Sequence, residues 1–105
     1  MNKKNYNTKA YKGIKENLII LDFTGIKTPD EIHSMLKEKF GLPDYYGKNW
    51  DALWDCLRYM WKEEIAVKIC GFSSLPKEGQ EYCKPMIKVF EDAQRENPNF
   101  VFEFC

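Results

Sequence analysis

The sequence predicts an α/β domain: a small three-stranded parallel sheet packed with helices. Three observations carry this. The apolar run Leu18-Ile19-Ile20-Leu21 is continuous rather than alternating, the pattern of a strand covered on both faces, as in parallel sheets. Two later stretches, Ile65-Ala66-Val67-Lys68-Ile69-Cys70 and Phe100-Val101-Phe102-Glu103-Phe104, also read as strands. Helical patterns fall between them in the order strand, helix, helix, strand, helix, strand, which implies right-handed crossovers and parallel pairing.

The elements follow in chain order. The first strand is closed by Asp22, Phe23, Thr24 and Gly25. Thr28-Pro29-Asp30-Glu31 is a helix start, with Thr28 as cap, Pro29 at the first position and acids in the opening turn. Ile32, Met35, Leu36 and Phe40 continue at helical spacing until Gly41 and Pro43 end the helix. Lys68 interrupts the second strand's apolar pattern and places part of it near an edge or a sheet end. Ser73-Ser74-Leu75-Pro76 forms a loop into a short helical piece around Glu78–Cys83. Pro85 fits the first turn of a last helix that buries Met86, Ile87, Val89, Phe90 and Ala93, and Asn97-Pro98-Asn99 is the turn that stops it.

One hundred and five residues suit a single domain able to fold without staples. No run approaches the ~20 apolar residues of a membrane span, and Lys3 and Lys4 lead into polar residues rather than a secretory apolar segment. A cytoplasmic location is the expectation. In that reducing compartment Cys56, Cys70, Cys83 and Cys105 read as free thiols, several of them buried. One histidine and scattered cysteines give no metal site, and no cofactor is expected.

Zero formal net charge hides an asymmetry. Lys3, Lys4, Lys9, Lys12 and Lys15 give residues 1–15 a charge of +5; residues 16–105 hold 11 basic and 16 acidic side chains, a net of −5. Residues 1–16 therefore read as a basic, solvated, flexible leader and residues 17–105 as the folded domain. An acidic body fits a basic protein partner. The leader, with Tyr6 and Tyr11 among its lysines, leaves a nucleic-acid tether open as a lesser reading.

The chemistry concentrates in Leu42 to Met60. Asn49 is a good N-cap for a short helix, and Asp51 stands in its first turn where the dipole favours negative charge. Trp50, Leu53 and Leu57 form an apolar stripe at i, i+3, i+7. Asp51 and Asp55 share another face and repel, at a cost of a few tenths of a kcal/mol in a helix. Trp54 stands between them; upstream, Tyr45 and Tyr46 lead into Gly47, which permits a tight turn or a close approach. Aromatic anchors beside two unneutralised carboxylates make an acidic docking surface, or simply a solvated face over a core stripe. Catalysis finds little support. A Cys56–His33 pair is conceivable, but nothing orients the histidine, which reads as a structural or surface residue; Asp51 and Asp55 have no substrate pocket around them.

Leu-Pro-Asp-Tyr-Tyr-Gly-Lys-Asn-Trp-Asp-Ala-Leu-Trp-Asp-Cys-Leu, residues 42–57, closely resembles the central segment of the barstar family, intracellular inhibitors of small secreted ribonucleases such as barnase. Weaker echoes, including Glu31-Ile32-His33 and Val89-Phe90-Glu91-Asp92-Ala93, extend over most of the chain after residue 17; the first sixteen residues have no counterpart. The resemblance implies a barstar-like three-layer sandwich and a monomeric, non-enzymatic inhibitor of a barnase-like ribonuclease or ribonuclease toxin. Carried over by position, Tyr45, Asp51, Trp54 and Asp55 match the family's contact residues, and Gly47 and Asn49 the turn that brings backbone near the enzyme. Asp55 would stand in for an RNA phosphate among the enzyme's basic groups. Three positions depart. The family's second contact tryptophan falls on Met60, with Trp61 one step on; an acidic contact in the last helix falls on Asp92, where the family's best-known member has the longer Glu; and Lys48 is basic where the same member is acidic. A non-inhibitory protein-binding module using the same surface remains the alternative.

Overall fold

The computed structural model describes residues 18–58 and 64–105. β1 (Leu18–Asp22), α1 (Pro29–Phe40), α2 (Trp50–Arg58), β2 (Ile65–Cys70), α3 (Lys77–Tyr82), α4 (Lys84–Glu96) and β3 (Phe100–Phe104) follow one another, with a 3-10 turn at Phe72–Ser74 before α3. The sheet is parallel and its strand order is β1-β2-β3, with Ile19 opposite Val67 and Val67 opposite Phe102.

Local chemistry explains the helix ends. The Thr28 hydroxyl accepts from the Glu31 backbone N–H at 3.2 Å, and the Glu31 carboxylate accepts from the N–H groups of Lys27 and Thr28 at 2.6 and 3.2 Å. This reciprocal cap satisfies donors that the first turn of α1 leaves orphaned. At its other end Gly41 adopts φ 65° and returns its N–H toward Lys37 and Glu38, the left-handed C-terminal position that favours glycine. α4 ends at Asn97, whose side-chain oxygen accepts from the Asn99 N–H at 3.0 Å.

Helices cover one face of the sheet. Ile19 and Leu21 of β1, Ile65, Val67 and Ile69 of β2 and Phe100 of β3 meet Leu36 and Phe40 of α1, Leu53 and Leu57 of α2, and Met86 and Phe90 of α4 in one core. Phe90 lies 6.1 Å from Phe40, 5.8 Å from Phe100 and 5.6 Å from Phe102, ring centre to ring centre, in the tilted arrangements aromatic pairs prefer.

The α/β class and the parallel sheet are as expected, but the covering of β1 on both faces is not. Burial along β1 alternates, and Leu18 and Ile20 remain 44 and 46% exposed. Among the described residues the helices form a single layer, so the third layer of the expected sandwich is not built by them. A continuous apolar run misleads here because half of it points away from the core. For Lys68 the edge placement also fails. It lies in the central strand, not at an edge, and points to the uncovered face, where its ammonium is 3.6 Å from the Glu103 carboxylate.

The cysteines also depart from expectation. Cys70 and Cys105 form a disulfide, with Cα atoms 4.9 Å apart. The β2–β3 register pairs Ile69 with Phe104, so the next residue of each strand meets its counterpart. A separation of 35 residues hides that adjacency in the sequence. Cys56 and Cys83 are free and buried, and burial pushes the Cys83 thiol up to about 11.

Candidate functional site

The candidate site is the outward side of α2 together with the turn before it. Asn49 caps the helix as expected: its side-chain oxygen accepts from the Ala52 N–H at 2.7 Å, and its amide donates to the Gly47 carbonyl at 3.3 Å. Trp50 is half-buried and Leu53, Cys56 and Leu57 are buried, so the predicted stripe faces the core. The opposite side shows Asp51 and Asp55, both exposed. Neither has an ion-pair partner among the described residues. Trp54 is half-buried against the core, and Tyr45 is 67% exposed. Tyr45, Gly47, Asn49, Asp51, Trp54 and Asp55 therefore belong to one contiguous run of turn and helix, with two unneutralised carboxylates on its surface.

Of the two roles the sequence allows Gly47, a tight turn or a close approach, the structure shows the second. The left-handed residue is Lys48, at φ 55°, and not Gly47. Glycine serves at 47 through close approach, since a Cβ there would stand 3.2 Å from the Asn49 amide nitrogen and 3.7 Å from the Ala52 Cβ. A side chain at positive φ is strained by roughly 1–2 kcal/mol. At Lys48 a contact across the turn opposes that strain: its ammonium is 2.9 Å from the Asp30 carboxylate and 3.4 Å from the Ser34 hydroxyl. The departure at Lys48 thus ties the turn to the first helical turns of α1.

A second tie lies beneath it. His33 of α1 is buried, with its ring nitrogens 2.7 Å from the Tyr46 hydroxyl and 2.8 Å from the Tyr82 hydroxyl. Its ring centre lies 4.4 Å from that of Trp50, which in turn is 5.2 Å from Tyr82. A neutral imidazole has one donor and one acceptor nitrogen, so one tyrosine donates and the other accepts. Burial chiefly, then the Lys48 charge, lowers the His33 pKa, with Asp30 acting in the opposite sense. The Tyr46 phenol is pushed well up, mainly by burial. With both nitrogens committed to tyrosines, His33 is not placed as a base for Cys56, whose thiol is raised by burial and by Asp55.

Asp92 stands apart from this run, on α4. Its carboxylate is 2.7 Å from Arg95 and 3.0 Å from Lys88, and the hydrogen bonds from Lys88 and Arg95 lower its pKa. Unlike Asp55 it is already neutralised by its own helix. Met60 and Trp61, the two candidates for the second aromatic contact, lie outside the described residues, as does the basic leader. Sequence reasoning recognised the surface but missed its support. Tyr46 reads in the sequence only as a neighbour of Tyr45, Tyr82 carries no motif, and Asp30 reads only as part of a helix start. Their partners lie 49 positions away for Tyr82 and 18 for Asp30, a separation no local pattern reports.

No group of three or more metal-ligating side chains occurs among the described residues, and no described helix is long and apolar enough to cross a membrane. Chemically the surface can accept hydrogen bonds from cations and offers aromatic area beside them.

Comparison with known proteins points the same way. A family model described as Barstar (barnase inhibitor) matches residues 16–105. Over 78 residues the sequence is 33% identical to a protein of Bacillus subtilis (strain 168) named "Putative ribonuclease inhibitor YrdF", an alignment spanning 74% of this chain and 86% of that protein.

Proposed function

The chain belongs to the barstar family, and from that premise we propose that it inhibits a small barnase-like ribonuclease, or a ribonuclease toxin domain, by seating the outward side of α2 in the enzyme's active site. The observation that carries this reading is the Asp55 carboxylate. It is exposed one turn inside α2, with no cation of the described chain paired to it. A helix gains little from an acid at that depth, and Asp51 four residues away makes it costlier.

An anionic group held outward beside aromatic area is what a cleft built for RNA phosphates receives. Asp55 takes the phosphate's place and accepts charge-assisted hydrogen bonds, which are short and strong when a guanidinium binds in bidentate fashion. Asp51 extends the negative surface and speeds encounter with a basic enzyme. Tyr45 packs on the enzyme's catalytic histidine, and Trp54 fills the rim. Gly47 and Asn49 bring backbone close, while Trp61 and Asp92 tune partner choice. In this reading the chain acts in the cytoplasm as a monomer that is not itself an enzyme.

The test is inhibition of RNA hydrolysis by barnase and by a panel of small basic bacterial ribonucleases, comparing the parent chain with Asp55→Ala. Removing one partner of a desolvated charge pair costs about 2–5 kcal/mol, a general range to which barnase–barstar complexes themselves contribute. Inhibition of the susceptible enzyme is expected to weaken at least ~30-fold, with far-UV circular dichroism unchanged. Equal inhibition by the variant, or a parent that inhibits no member of the panel, would overturn the proposal.

A further inference from the structure

The sheet face away from the helices presents a continuous apolar row. The register places Leu18, Ala66 and Val101 side by side across all three strands, and Leu18, Ile20 and Val101 are 44, 46 and 43% exposed. Folded monomers expose single apolar side chains freely, but rows of this kind mark binding surfaces. At one end of the row an open groove of about 380 Å3 runs past Leu18, Glu64, Ala66 and Val101.

Charge on this face is unbalanced. Asp22, Glu64 and Glu103 are acidic, and Lys68, one register step beyond the row between Ile20 and Glu103, is engaged with Glu103. The segment that enters the sheet at Leu18, the mouth of the groove, has the complementary composition. Residues 1–15 carry five lysines and no acid, with Tyr6, Tyr11 and Ile14 among them. Crossing three strands requires about 10 Å, two inter-strand spacings. Seventeen residues reach up to ~56 Å, so length is not limiting. A tethered segment meets this face at an effective concentration in the millimolar range.

We propose that residues 1–15 of the same chain dock on the uncovered sheet face, with Tyr6, Tyr11 and Ile14 covering the Leu18–Ala66–Val101 row and the lysines meeting Asp22, Glu64 and Glu103. A second copy is the less fitting occupant, because stacking two such faces brings acidic rims together. The proposal concerns a surface away from the helix layer and does not depend on which enzyme α2 engages.

Hydroxyl-radical footprinting of the full chain tests it, reading the oxidation rates of Leu18, Ile20 and Val101. The parent is compared with the full-length triple variants Tyr6→Ser/Tyr11→Ser/Ile14→Ser and Lys9→Glu/Lys12→Glu/Lys15→Glu. All three residues are expected to react at least threefold faster in both variants, while Tyr45 on the turn before α2 reacts equally in all proteins and serves as the control for folding. Equal rates at Leu18, Ile20 and Val101 would overturn the proposal. So would protection in the parent that disappears on dilution together with a dimer-to-monomer shift in sedimentation, since a second copy would then be the cover.

Discussion

The hydroxyl of Tyr46 lies 2.7 Å from Nδ1 of His33, and through that bond the residue between exposed Tyr45 and Gly47 is fastened to the first helix. Tyr82 closes the arrangement from α3 at 2.8 Å, so three elements meet on one imidazole beneath the proposed inhibitory surface.

His33 should therefore make stability depend on pH. Its folded pKa lies below the ordinary histidine value of 6.5, whereas the unfolded chain keeps the ordinary value. Above pH 6.5 both states are neutral at this site, and it contributes no pH dependence. As pH falls below 6.5 the unfolded state binds a proton that the folded state resists, so stability drops, by at most about 1.4 kcal/mol per pH unit, and levels off below the folded pKa. Urea unfolding between pH 7.5 and 5 should show this slope in the parent and lose it in His33→Gln.

Tyr82→Phe should cost about 1 kcal/mol, the worth of one hydrogen bond, with part of the penalty arising from the His33 nitrogen left without its partner. Inhibition of a susceptible ribonuclease is expected to change less than twofold, because Tyr82 supports the turn without facing outward. A loss as large as that of Asp55→Ala would place Tyr82 in the interface instead.

Lys48 carries two separable effects, backbone strain and an ion pair. Lys48→Asn and Lys48→Ile both remove the pair with Asp30, an exposed contact worth at most ~1 kcal/mol. Asn tolerates positive φ and a β-branched side chain does not. Lys48→Ile should consequently be less stable than Lys48→Asn by about 1–2 kcal/mol, measured as a difference in urea midpoint.

The Cys70–Cys105 bond spans 35 positions. Constraint of the unfolded chain by a loop of that size contributes about 3–4 kcal/mol in the chain-entropy account. Reductant should lower the unfolding midpoint of the parent by that amount and leave Cys105→Ser, already destabilised, unchanged. A parent insensitive to reductant would show that the bond adds no net stability.

Asp92→Ala removes a carboxylate already paired with Lys88 and Arg95. Its stability cost should stay within about 0.5 kcal/mol. Binding to a susceptible ribonuclease should weaken several-fold less than with Asp55→Ala, because a partner cation must compete with two local ones. Isothermal titration of both variants gives the comparison.

What could be read from the sequence follows the range of the interactions. Thr28, Pro29 and Glu31 announce the start of α1, and Asn49 that of α2, because caps act over three residues. Trp50, Leu53 and Leu57 reveal the inner side of α2 because helical periodicity is local. The disulfide and the His33–Tyr82 bond are set by which strands and helices become neighbours, and no spacing encodes that. The uncovered face of β1 is illegible for a related reason: an isoleucine that points outward looks the same in sequence as one that points inward. Asp51 and Asp55 were legible as candidates because two acids one turn apart on a short helix work against the helix.

The sheet's spatial order repeats the order of synthesis: β1, then β2 beside it, then β3 on the far side of β2. No later strand has to be inserted between two that have already paired. On the ribosome the first parallel pair can form as soon as β2 has emerged, with α2 enclosed in that crossover, while residues beyond 71 are still being made. The proposed inhibitory helix thus lies in the crossover between the first parallel pair, in the part of the chain that is synthesised first, and β3 adds to the far side of β2.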